Sequence, residues 1–141
     1  MSYDDNNVFA KILRGELPAH KVYETDRVLA FMDIMPRSDG HALVIPKVKA
    51  RTIVDIAPED LAELIKAVQH VAKASMRAFA ADGITIQQFN ESAGGQIVFH
   101  LHFHVIPRHE GASMKPHTGQ MADQAVLAAN AEKLRAAVAA L

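Results

Sequence analysis

The sequence predicts an α+β fold, an antiparallel sheet with helices packed on it. Extended segments follow one another through short connections, as antiparallel pairing allows. A long segment after Pro58 repeats apolar residues at helical spacing. Residues 97–106 alternate two kinds of side chain, as a strand with two different faces would.

The elements follow in order. Asn6 and Asn7 can cap a short helix with Val8, Phe9, Ile12 and Leu13 on its apolar side and Gly15 as its stop. Pro18 turns the chain. Residues 21–24 and 28–34 read as strands joined at Thr25, Asp26 and Arg27 in a hairpin. A loop at 36–40 leads to a short strand, 41–45, ended by Pro46. Pro58, Glu59 and Asp60 suit the first turn of a long helix. Its stripe of Leu61, Leu64, Ile65, Val68, Val71, Ala72, Met76 and Phe79 should cover one sheet face. Residues 84–90 predict a strand, 92–95 a flexible Ser-Ala-Gly-Gly turn, and 97–106 the strongest strand, closed by Pro107. Residues 111–119 are irregular, and the alanine-rich 125–141 predicts a final helix.

The chain has 141 residues, enough for one domain with a real core. Its formal charge of −1 gives no basic excess, which argues against nucleic acid or an anionic membrane as partner. The absence of cysteine excludes disulfides and thiolate zinc sites. The start is polar and acidic, unlike a signal peptide, and no apolar run is long enough to span a membrane. A cytoplasmic location is the expectation. The compositional oddity is eight histidines, three of them within five residues.

Alternation places His100, His102 and His104 on one strand face and Phe99, Leu101, Phe103 and Val105 on the other, in the core. Such a row has three readings. It can be a solvated sheet face. It can bind a metal, but the outer two residues of the row lie about 13 Å apart along a strand, whereas zinc–nitrogen bonds are about 2 Å. It can also act at phosphorus. There a neutral imidazole attacks, water releases the product, and the neighbouring imidazoles serve as donors. The 92–95 turn could add backbone N–H groups to a phosphate.

The run from His100 to Ile106 resembles the His-φ-His-φ-His-φ-φ signature of the histidine triad (HIT) superfamily. Phe9 to Ala19, Asp26 to Ile34 and His41 to Lys47 resemble the N-terminal blocks of its Hint branch. Asn90-Glu91 and Gly94-Gly95-Gln96 resemble the loop before the triad, so the likeness covers residues 8–108 of a single domain spanning 1–141. The resemblance implies a HIT-like fold with about five antiparallel strands, a long central helix and short flanking helices. It implies cleavage at the α-phosphate of a nucleoside monophosphate conjugate through a nucleotidyl-His102 intermediate. His104 would contact the phosphate or leaving group, and His100 would orient His102 and pair with His41. Asn90 and Gln96 would approach the phosphate and Asp33 the ribose hydroxyls. Phe9, Ile12, Phe31 and Ile34 would wall the base pocket. The implied partners are a purine nucleotide and a second copy of the chain in a homodimer; no cofactor or metal is required.

Residue by residue, simpler roles compete. The four apolar residues suit a core, Asp33 suits a turn cap, and Asn90 and Gln96 suit loop support. Two departures bear on the substrate. Ile97 stands where the Hint branch commonly has a hydroxyl residue, and the 91–95 loop is one residue shorter than is typical. The tail after Arg108 has no counterpart, and its His109, Lys115 and His117 read as solvated loop. The reading of a different class is a nucleotide-binding scaffold with little turnover.

Overall fold

The computed structural model describes residues 2–116 and 119–141. Its elements in chain order are α1 (Val8–Leu13), β1 (Lys21–Glu24), β2 (Val28–Met32), β3 (Ala42–Pro46), α2 (Pro58–Ala78), β4 (Gly83–Gln87), β5 (Phe103–Arg108) and α3 (Gln124–Ala139). The five strands form one antiparallel sheet in the order β1-β2-β3-β5-β4.

Alternation along the central strands separates the two faces. Val28, Ala30 and Met32 of β2, Ala42 and Val44 of β3, and Phe103 and Val105 of β5 join one apolar cluster with α2 and α3. In α2 the contributing side chains are Leu64, Ala67, Val68, Val71 and Ala74, spaced so as to fall on one side of the helix. α3 adds Leu127, Ala131, Leu134 and Val138. The opposite sheet face carries Leu29, Phe31, Leu43 and Ile45, which pack with Phe9 of α1. That second face carries the candidate site.

Local chemistry sets the boundaries. The Asn7 side chain caps α1 by accepting from the Ala10 amide at 2.9 Å. Pro58 opens α2, where a missing N–H costs nothing. Asp123 caps α3 through the Ala125 amide at 2.8 Å. β2 stops at Met32 because the Asp33 carboxylate accepts from the Met35 amide at 2.9 Å and bends the chain.

The structure corrects the strand expected over 97–106. Only Phe103 onward joins the ladder, and that strand runs through Pro107 to Arg108. The pairing of β3 with β5 ends at Val44 opposite Phe103. Beyond it lies Pro46, which has no N–H to offer. The Leu101 amide donates instead to the Ala50 carbonyl at 2.9 Å. His100 and His102 therefore stand on an irregular segment that leads into β5. Phe99 is likewise half-buried rather than core, with the Arg51 guanidinium 4.3 Å above its ring. Likewise, the 84–90 segment is a strand only as far as Gln87.

Candidate active site

Strand register brings three side chains together. Met32 pairs with Ala42, so the next residues, Asp33 and His41, meet where the Asp33 amide donates to the His41 carbonyl at 3.0 Å. Across the next pair, His104 of β5 stands opposite Leu43 on the face that His41 shares. The result is a buried chain in which His41 Nε2 lies 2.9 Å from His104 Nδ1. One oxygen of Asp33 lies 3.4 Å from the same His41 nitrogen and 3.9 Å from His104 Nδ1.

The hydrogen bonds fix the tautomers. The Arg37 amide lies 3.0 Å from His41 Nδ1 and can only donate, so that nitrogen carries no proton. His41 is then protonated on Nε2 and donates to His104 Nδ1. His104 in turn carries its proton on Nε2. A main-chain amide thus makes His104 a donor at its far nitrogen.

His102 is set the opposite way. Its Nδ1 lies 2.7 Å from the His100 carbonyl oxygen and must donate to it, leaving the ring lone pair on Nε2. The ring meets Phe9 edge-on at 4.9 Å and His104 at 5.1 Å between centroids. His100 is fully buried, with Nε2 donating to the Pro46 carbonyl at 2.8 Å and Nδ1 2.6 Å from the Tyr3 hydroxyl. Burial pushes its pKa below the ordinary histidine value, partly offset by the Pro46 bond, and the ring is neutral. The expected His41–His100 pair is replaced by His41–His104, because register places His41 beside β5 while His100 lies back at Pro46.

His102 and His104 open onto a cavity of about 530 Å³. Phe9, Ile12, Phe31, Asp33 and Ile34 line it. Asn90 and Gln96 stand elsewhere. Asn90 accepts from the Ile53 amide at 2.8 Å, and Gln96 bridges the Glu91 amide to the Arg51 and Val98 carbonyls. The N–H groups of Gly94, Gly95 and Gln96 donate to carbonyls within the 91–95 turn, so the structure turns those three donors inward rather than toward a phosphate. Ile97 lines the cavity and is 58% exposed, an apolar contact at the mouth.

Sequence reading missed the cavity's outer rim. His20, Met121 and Gln124 line it, with His20 Nε2 and Gln124 Oε1 2.8 Å apart. Met121 and Gln124 arrive because the Ala122 amide donates to the Ile34 carbonyl at 2.9 Å, a contact no local pattern announces. In the tail, His109 binds the Phe79 carbonyl, the Lys115 amide donates to the Arg37 carbonyl while the Lys115 carbonyl accepts from Arg37 Nε, and His117 lies outside the described residues.

Asp33, His41 and His104 also bring ligand-type atoms within 4.8 Å of one another. These residues could face an ion, but the Arg37 amide and the His41–His104 bond already engage both nitrogens of His41 and Nδ1 of His104.

The model of the HIT domain family matches residues 14–111. The chain belongs to the HIT family. Over 103 residues this HIT protein is 40% identical to the Arabidopsis thaliana protein named adenylylsulfatase HINT3, covering 73% of this chain and 52% of that relative. Over 101 residues it is 40% identical to the Schizosaccharomyces pombe adenosine 5'-monophosphoramidase hnt1, covering 72% and 73% of the two chains. Its fold matches the crystal structure of a Hit-like protein involved in cell-cycle regulation from Bartonella henselae, which holds an unknown ligand. That match has a TM-score of 0.90 and 53% identity, covering 96% of this chain and 99% of the other. The five-stranded antiparallel sheet is the fold this HIT domain shares with that neighbour.

Proposed function

We propose that this protein is a nucleotide hydrolase or transferase that cleaves at the α-phosphorus of a nucleoside monophosphate conjugate. The observation that carries the reading is the opposed tautomers of two neighbouring histidines, a lone pair on His102 Nε2 beside a proton on His104 Nε2. His102 Nε2 attacks phosphorus and the bond to the leaving group breaks. The leaving group takes the His104 proton. Water then attacks phosphorus, the phosphorus–nitrogen bond breaks, and a proton from the water returns to His104. Phe9, Ile12, Phe31 and Ile34 hold the purine, and the carboxylate of Asp33 suits the two ribose hydroxyls. No metal takes part in these steps. Two relatives named for hydrolysis of adenylylsulfate and of an adenosine phosphoramidate support the reaction class.

The test is a screen of adenylates and guanylates that differ only in leaving group, with mass spectrometry of the quenched protein. Turnover should accompany a nucleotidyl adduct on the peptide containing His102 and persist in chelator. Tight monophosphate binding without turnover on any conjugate would instead favour a binding scaffold.

The same reading includes a homodimer. One sheet edge, β1, is covered where Arg135 of α3 donates to the Lys21 carbonyl. The other edge, β4, bears the exposed Ile86, and α2 exposes Ile65 and Met76. Light scattering should give twice the chain mass, and Ile86→Lys should reduce it toward the monomer; a monomeric wild type would refute the dimer.

A further inference from the structure

The N-terminal segment before α1 has no part in the mechanism above, yet it reaches the histidine row. The Tyr3 hydroxyl lies 2.6 Å from His100 Nδ1, across 97 positions of sequence. The two rings also meet edge-on at 5.6 Å. Pro46 can only accept, so its carbonyl holds the His100 proton on Nε2. In this neutral, fully buried ring Nδ1 is then an acceptor, and the phenol donates to it. Nothing is left for His100 to exchange. Its main-chain carbonyl is the group that orients His102.

The segment carrying Tyr3 is tied down on both sides. Arg51 donates to the Ser2 carbonyl at 3.2 Å, and Lys49 pairs with Asp5 at 2.8 Å. Arg14 donates to the Asp5 carbonyl at 2.8 Å. These contacts place the phenol against the one ring nitrogen that the rest of the fold leaves to it.

We propose that Tyr3 is a positioning residue of the active site. Its hydroxyl locks the His100 imidazole, which holds the 100–102 backbone so that the His100 carbonyl keeps the His102 lone pair on Nε2. The inference rests on the nucleophilic reading of His102, but its spectroscopic arm does not depend on any substrate.

Tyr3→Phe removes one oxygen and keeps the ring contact. It should lower kcat about tenfold, the scale of one lost hydrogen bond acting on the transition state, with KM unchanged. The nitrogen resonance of His100 Nδ1 should move away from its hydrogen-bonded position, and the His102 resonances should broaden toward a mixture of tautomers. Tyr23→Phe, which removes a phenol oxygen from β1 without touching the N-terminal segment or His100, should leave both readouts as in the wild type. A Tyr3→Phe protein with unchanged kcat, with unchanged imidazole nitrogen resonances, or with its loss entirely in KM overturns the proposal. If the wild type turns over no nucleotide conjugate, the hydrolase reading fails while the nitrogen spectra still decide whether Tyr3 sets the state of His100 and His102.

Discussion

His102→Asn should lower kcat/KM on any cleaved conjugate by about 10⁴-fold or more, the scale seen when an enzyme loses its nucleophile. Nucleoside monophosphate should still bind within about threefold of wild type, because the apolar walls Phe9, Ile12, Phe31 and Ile34 are untouched. Asparagine is the informative replacement. Its amide can still donate to the His100 carbonyl, now 2.7 Å from His102 Nδ1, so the 100–102 segment keeps its anchor. It offers no lone pair of comparable nucleophilicity at the position of Nε2. Phe9, which meets the ring edge-on at 4.9 Å, loses an aromatic partner but stays packed on Phe31 at 5.4 Å. Steady-state kinetics with calorimetric binding separate the two effects. Retained turnover with no adduct would move the chemistry to another group, and lost binding would show that His102 shapes the pocket rather than attacks.

Leu101→Ala should destabilise the protein by about 2–5 kcal/mol, the range for emptying a buried leucine site. Leu101 is fully buried in the cluster that joins the sheet to α2 and α3. Its neighbours in sequence are the two histidines that lie outside the β-ladder. With no strand partners at that point, the segment is held by the Leu101 amide on Ala50, by the side chain in the core and by the histidine contacts. A cavity there loosens the histidine row as well as the core. Urea denaturation should show the midpoint fall with little change in slope. Turnover measured well below that midpoint should fall too, whereas Leu134→Ala on α3 should cost comparable stability with activity preserved. Equal activity losses in both variants would show that the effect is global.

How much of this was readable beforehand follows from the range of each signal. The α+β class, the long helix after Pro58 and the shared face of Phe103 and Val105 rest on periodicity within one segment, and the structure has them. The single face for three histidines was only partly right, because alternation assumes a ladder and Pro46 breaks it. The link from Asp33 through His41 to His104 depends on the register of three strands, which no local pattern fixes. Register also explains why the partner expected for His41 was wrong. Asn90 and Gln96 sit in the expected loop, but their hydrogen bonds to the chain at 51–53 could not be foreseen from their own neighbours. Tyr3, Met121 and Gln124 come from the two ends of the chain and reach the site through single long-range contacts.

The bond from the Arg37 amide to His41 has a further consequence. A peptide N–H does not titrate in the working range, and no ordinary change of side chain deletes it. The direction of the hydrogen bond from His41 to His104 is therefore inherited from the course of the loop between β2 and β3. Drift at position 37 can alter the guanidinium while the amide stays in place; proline alone would abolish it. The proposed acid of this pocket is thereby buffered against substitution in a way the proposed nucleophile is not, and the loop's surface can vary while the polarity of the site is kept by its shape.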